Sequence, residues 1–295
     1  SLYTCKERSF SIHPPFSFPF SSLLFSLFYL LPIMSATGAG YDYSVSTFSP
    51  NGRVFQVEYA AKAVEKSGTA IGIRCKDGVV LGCEKTAQSK MLVPTSNRRI
   101  HTLDLHAGLA LSGYAADARQ LVNKARSEAA EYRSFYGSEI PGKVLSDRLA
   151  GHVHTNTLYW HARPFGCSVI IASYDDDQGP QLYSIEPSGV CYRYFGTAIG
   201  RNKQGSSAEL EKIDFTKLTC KEAVNHIARI LYKLHDEVKD KELEVELSWV
   251  CDESKRLHVL VPEPYRSEAI RLAKESKRRE ELDSDDDEEE KKEQK

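Results

Sequence analysis

TAIGIRCKDGVVLGCEK, residues 69–85, decides how this chain folds. Two apolar runs, Ala70–Ile73 and Val79–Cys83, flank Lys76-Asp77-Gly78. Asp-Gly between apolar runs signals a hairpin, because the tight turn needs positive φ that Gly accepts without strain. The hairpin predicts antiparallel pairing, and the elements around it extend that reading.

Toward the C-terminus, AGLALSGY (107–114) predicts a further strand. Two long helices follow. Ala118, Leu121, Val122, Ala125, Ala129 and Tyr132 line one face of the first. The second is expected from about Lys143 to His161, carrying Val144, Leu145, Leu149, Val153 and Tyr159. Strands return in FGCSVIIASY (165–174), PQLYSIE (180–186) and VCYRYFGTAIG (190–200). Helices start near Lys203 and Lys221, the latter with Thr219 and Glu222 spaced as a capping box. LEVELSWV and RLHVLVP form a late strand pair, and a last helix carries Ala269, Ile270 and Ala273. Strands, two helices, strands, two helices, strands, helix is not the regular alternation of a parallel sheet. It predicts an α+β protein: a four-layer αββα sandwich of two antiparallel sheets with helices on both outer faces.

Toward the N-terminus, VFQVEYAAKAVEK has Val57, Ala60, Ala61 and Val64 at helical spacing, and Ser67-Gly68 stops that helix. Ser49-Pro50-Asn51-Gly52 is a turn. The expected boundaries are an extension at 1–33, a flexible arm at 34–52, one domain with its N-terminal helix at 53–279, and an acidic, disordered tail at 280–295. The Phe-, Ser- and Leu-rich stretch before Met34 reads as translated sequence upstream of a start at Met34. A targeting segment is the alternative. Its apolar run is shorter than the ~20 residues that a membrane span needs.

Composition narrows the function classes. With 295 residues, 41% hydrophobic and 27% charged, the chain is of ordinary globular type. A net charge of -2 argues against a nucleic-acid binder. Seven Cys, odd in number and without a CxxC pair, give neither a disulfide framework nor zinc-ligand spacing. They read as small buried hydrophobes in a reducing compartment. Gly38-Ala39-Gly40 does not extend into GxGxxG, so no nucleotide cofactor is expected. His152 and His154 are two apart on a helix and face different ways, so no metal site is expected there.

One block is specific. Phe48-Ser49-Pro50-x-Gly52-Arg53-x-x-Gln56-Val57-Glu58-Tyr59-Ala60, within Gly40–Glu65, resembles the N-terminal signature of proteasome alpha-type subunits. Further blocks follow in that family's order: Thr69–Ile73, Gly113 with Ala116-Asp117-Ala118-Arg119, Arg163-Pro164-Phe165-Gly166, and Thr197–Gly200. The likeness runs from Met34 to about Lys277. Tyr43, where most arms of the family carry Arg, and the acidic tail point to one member in particular.

The resemblance implies the fold of the N-terminal-nucleophile hydrolases and a seven-membered ring of alpha subunits stacked on catalytic beta rings. It implies a non-catalytic role in building and gating the 20S core, in ubiquitin-dependent protein degradation, in cytoplasm and nucleus. Implied partners are the other alpha and beta subunits and a regulatory particle or activators, with no nucleic acid, no membrane and no cofactor. Active relatives use an N-terminal Thr whose own amine serves as base. Here Gly68 or Thr69 takes that position, Glu84 stands near the Asp position, and Arg99 replaces the Lys. An Arg cannot act as a neutral base. The alternative is an active threonine peptidase of the beta type, with Thr69 exposed by cleavage. The resemblance carries Tyr41, Asp42, Pro50 and Tyr59 as the gate-arm cluster. It carries Arg99 and Gly113 as the activator pocket, and Val54, Phe55, Gln56 and Val57 as a ring-interface helix. Ser284, followed by Asp285, Asp286 and Asp287, reads as an acidophilic-kinase phosphosite.

Overall fold

The computed structural model describes residues 40–86, 91–93, 96–235 and 243–293, with side chains described as far as Glu280 apart from Thr86. The expected extension at 1–33, the first residues of the arm and the side chain of Ser284 lie outside the described residues.

Ten strands and six helices are present among the described residues, the first and fourth helices being α1 (Phe55–Glu65) and α4 (Lys203–Leu210). The hairpin forms as β1 (Ala70–Arg74) and β2 (Gly78–Thr86), with Ile73 opposite Val80. Strands β3 (Ile100–Asp104), β4 (Ala107–Gly113), β5 (Cys167–Asp175), β6 (Gly179–Ile185) and β7 (Cys191–Arg193) form one antiparallel sheet in that order. The other, called the first sheet because it holds the opening hairpin, runs β10-β9-β2-β1-β8, with β8 Gly196–Ile199, β9 Leu243–Cys251 and β10 His258–Leu260, and the β3–β7 sheet is the second.

Three apolar layers hold the stack. Between the sheets lie Ala70, Leu81, Ala110, Ile170, Leu182 and Val250. Outside the first sheet, helices α5 (Cys220–Leu234) and α6 (Glu263–Glu293) bury Val224, Ile227, Leu231 and Ala269 against Ile71, Ile73 and Trp249. Outside the second, α2 (Ala115–Tyr136) and α3 (Gly142–Thr155) bury Leu121, Leu145 and Leu149 against Leu109, Val169 and Ile171. Sheet residues are covered on both faces, which is why β5 reads as a near-continuous apolar run rather than an alternating one. Both the four-layer architecture and the antiparallel sheets are those expected from the sequence. The capping box is also present: Thr219 Oγ1 accepts from Glu222 N at 3.4 Å, and Glu222 Oε2 accepts from Thr219 N at 2.9 Å.

Four local readings change. Strand β3 escapes the pattern because a register shift between Thr102 and Asp104 breaks the period of two. VCYRYFGTAIG is two strands, not one. Tyr194 N bonds Leu182 O at 2.9 Å in one sheet, and Arg74 N in the other bonds Phe195 O at 2.8 Å. The second long helix ends at Thr155 rather than His161, leaving Tyr159 and Trp160 exposed. There Thr157 turns back on His154 O through both its amide (2.8 Å) and its hydroxyl (2.7 Å), a local alternative to helix. The last helix continues to Glu293 where a disordered tail was read from 280. That stretch holds Glu, Asp and Lys with no Gly or Pro to terminate a helix.

The folded unit begins at Gly40. No helix among the described residues is long and apolar enough to cross a membrane.

Candidate functional site: a closed nucleophile position, a docked arm and a pocket pair

Thr69 precedes β1 and is 1% exposed. Its nitrogen is the amide joining it to Gly68, and it donates to Glu84 Oε2 at 3.0 Å. Glu84 N returns a bond to Thr69 O at 2.8 Å. Glu84 is itself buried, and its other oxygen faces Arg201 Nη2 at 3.2 Å and His235 Nδ1 at 3.5 Å. On the opposite side, Ser112 Oγ donates to Gly68 O at 2.8 Å and meets Ser67 Oγ at 2.5 Å. Gly200 closes the ring of contacts: its φ is +101°, and a Cβ there would lie 2.6 Å from Gly68 O. An amide nitrogen whose lone pair is delocalised, and whose N–H is held by a carboxylate, cannot take a proton from Thr69 Oγ1.

Arg99 and Gly113 do come together. Arg99 Nη1 donates to Gly113 O at 3.1 Å, while Arg99 N donates to Glu246 Oε2 at 2.9 Å. Gly113 has φ +114°, and a Cβ would lie 2.3 Å from Gly166 O, so only Gly fits this approach. The block carrying Asp117 meets the block carrying Gly166 at the same place. Arg163 grips Asp117 with two bonds of 2.6 and 2.7 Å, and Gly166 N adds a third at 2.9 Å. The guanidinium first, and then the Gly166 amide, hold the Asp117 carboxyl below its usual range despite burial.

In the arm, Tyr59 Oη donates to Asp42 Oδ2 at 3.2 Å, and Gln56 Nε2 donates to the Asp42 carbonyl. Burial, followed by the Asp42 charge and hydrogen bond, raises the Tyr59 phenol above its ordinary value. Val45 is 3% exposed and pins the arm to the domain. Ser49 anchors the predicted turn: Gly52 N donates to Ser49 O at 2.8 Å, and Ser49 Oγ accepts from Arg53 N at 3.0 Å. Of the four expected cluster members, Asp42 and Tyr59 are in direct contact. Pro50 lies exposed in the turn, and Tyr41 is 39% exposed.

Residues 64–250 match the family described as Proteasome subunit, and residues 41–63 match the N-terminal signature of proteasome A-type subunits. The chain belongs to the proteasome subunit family, among its alpha-type members. It is similar to Proteasome subunit alpha type-3 of Arabidopsis thaliana, 58% identical over 251 residues covering 85% of this chain and 100% of the relative. Proteasome subunit alpha type-3 of Spinacia oleracea is 59% identical over 80% of this chain and 94% of its own length. The Probable proteasome subunit alpha type-7 of Schizosaccharomyces pombe is 48% identical over 80% and 92%.

The alpha signature of this proteasome chain spans the arm contacts and helix α1 (Phe55–Glu65). That helix buries Phe55, Ala60 and Val64 within the chain and leaves Val54, Gln56 and Val57 half-buried. Sequence reasoning found Thr69, Glu84 and Arg99. It missed Ser67, Ser112, Arg201 and His235, which surround Thr69 from four separate segments and share no spacing signal. The one available hint was Gly200, quoted within Thr197–Gly200, because a Gly ending a strand marks a close backbone approach. His152 and His154 part as expected: His152 packs on Phe165 at 5.7 Å, and His154 Nδ1 lies 3.2 Å from Ser188 O.

Proposed function

We propose that this chain is a non-catalytic, structural and gating subunit of the alpha ring of the 20S proteasome core, serving ubiquitin-dependent protein degradation. The observation that carries this is the state of Thr69. Its nitrogen is an internal amide bonded to a buried carboxylate, where a threonine peptidase needs a free amine. The half-buried residues Val54, Gln56 and Val57 of α1 supply a face for neighbouring alpha and beta subunits. Tyr41, Asp42, Pro50 and Tyr59 are the cluster that holds the gate open, and the Asp42–Tyr59 hydrogen bond supports this reading. Arg99 and Gly113 contribute to a pocket where a regulatory particle or activator docks, Arg99 pairing with an incoming carboxylate. The particle works in cytoplasm and nucleus, and Ser284 receives phosphate from an acidophilic kinase.

Intact and N-terminal mass spectrometry on native particles tests the reading. A chain with Thr69 internal supports it. A chain starting at Thr69 overturns it in favour of the beta-type peptidase.

A further inference from the structure

Three segments distant in sequence converge at one end of the first sheet. They are the β1–β2 turn at Cys75–Asp77, the first turn of α5 at Cys220, and the end of β9 at Cys251. Backbone bonds staple them together. Lys76 N donates to Leu218 O at 3.2 Å, and Asp252 N donates to Asp77 O at 3.1 Å. Cys220 N donates to Asp77 Oδ1 at 2.9 Å. Gly78 lets β2 and β9 close up, since a Cβ there would lie 2.6 Å from Cys251 Cβ.

The side chains facing this junction are three thiols and a carboxylate. Cys75, Cys220 and Cys251 are 3%, 1% and 1% exposed. The Cys75 and Cys220 sulfurs and a carboxylate oxygen of Asp77 all lie within 4.8 Å of one another. The Cys251 thiol adjoins that of Cys220. Around a tetrahedral Zn²⁺ with bonds of about 2.3 Å, sulfurs sit roughly 3.8 Å apart. The Cys75, Cys220 and Asp77 ligand atoms are within about an ångström of that spacing.

The geometry points to a site for a thiophilic divalent cation of the Zn²⁺ class, ligated by Cys75, Cys220 and Asp77, with Cys251 as the neighbouring thiol on the Cys220 side. Its ligands come from two distant segments, the β1–β2 turn and the start of α5, with no CxxC among them, so spacing alone does not reveal it. The chemistry is consistent on three counts. Cys220 occupies the first position of a 15-residue helix, where the positive end of the backbone dipole favours thiolate. Ser254 Oγ lies 3.8 Å from Cys251 Sγ and accepts from Cys251 N at 3.1 Å, holding that neighbouring thiol from outside. Asp77 is only half-buried, which leaves a route from solvent. Binding releases one proton per thiol to solvent, and affinity climbs with pH.

Co²⁺ tests the site without any assay of the assembled particle's activity. The full-length chain, reduced with a phosphine, is titrated with Co²⁺ alone. One equivalent is expected to give the thiolate-to-cobalt charge-transfer band and the intense visible band of tetrahedral Co²⁺, both bleached by Zn²⁺. In Cys220→Ser the affinity is expected to fall on the order of 100-fold, and in Asp77→Asn on the order of tenfold, as for losses from a metal site's ligand and support shells. Asn keeps the oxygen that accepts from Cys220 N, so that variant separates ligation from folding. Cys167→Ser, a buried thiol in the other sheet, is expected to bind Co²⁺ as the parent does. No band at one equivalent, or a band that Cys220→Ser and Asp77→Asn leave intact, overturns the site.

Discussion

His258 offers a direct measurement of how the two sheets are joined. Its ring sits on β10 of the first sheet, with Nε2 3.0 Å from Ser248 Oγ and Nδ1 2.9 Å from Thr102 Oγ1 on β3 of the second. A Cβ on Gly108 would lie 2.0 Å from the ring, so no water-sized gap exists on that side. Burial alone pushes the imidazole down from 6.5 to about 4. Above pH 6.5 both folded and unfolded chains carry a neutral ring, and the contribution to stability is complete. Between pH 6.5 and about 4 the unfolded chain binds the proton and the folded chain does not, so stability falls as pH falls. At pH 5 the loss amounts to about 2 kcal/mol, from 1.36 kcal/mol per pH unit over most of that interval.

The perturbation is His258→Asn. At pH 7 it strands the buried Ser248 hydroxyl and removes the bond to Thr102, and is expected to destabilise by about 1–3 kcal/mol. At pH 5 the parent has lost its advantage, so the gap between parent and variant narrows by about 2 kcal/mol. Urea unfolding at pH 7, 6 and 5 reads this, followed by the fluorescence of Trp249, which lies on β9 opposite Val259. The remaining histidines titrate alike in both proteins and cancel. A gap that stays constant from pH 7 to 5 refutes the claim that the ring is neutral and desolvated in the fold.

Other outcomes follow from the site. Asp117→Asn replaces one of the two oxygens that accept from Arg163 and removes the charge, and is expected to cost about 1–3 kcal/mol in urea unfolding at pH 7. That difference shrinks only at pH values below the ordinary carboxylate range, because Asp117 is held ionised there. Tyr59→Phe is expected to speed hydrogen exchange at residues 42–46 while leaving the melting temperature of the domain unchanged. Gly113→Ala forces a side chain against Gly166 O at a left-handed φ, and a loss of at least about 1–3 kcal/mol is expected from backbone strain alone. Thr69→Ala, incorporated into particles, is expected to leave every peptidase activity at its parental level.

Much of the fold was legible because it rests on local chemistry. The Asp77-Gly78 turn, the Thr219–Glu222 cap and the run FGCSVIIASY each state their structure within a few residues. What escaped depends on partners far along the chain. No residue near Tyr194 or Phe195 announces that their backbones bond to different sheets, since that choice belongs to Leu182 and Arg74. The site divides in the same way. The signature fixed Asp42 and Tyr59 by sequence distance along an arm and helix, and these two do meet. The cage around Thr69 is assembled from Ser67, Glu84, Ser112, Arg201 and His235, whose shared location only the sandwich creates.

The order of strands in the two sheets also sets a timetable for synthesis. The second sheet uses β3 to β7 in chain order and can close once residue 193 has left the ribosome. The first sheet cannot. Its opening hairpin, β1 and β2, emerges early and must wait with both edges bare until β8 and then β9 arrive. Bare edges of apolar strands are sites of mispairing. A nascent chain halted between β7 and β9 holds one finished sheet beside one exposed hairpin, and that intermediate is the species a chaperone has reason to shield.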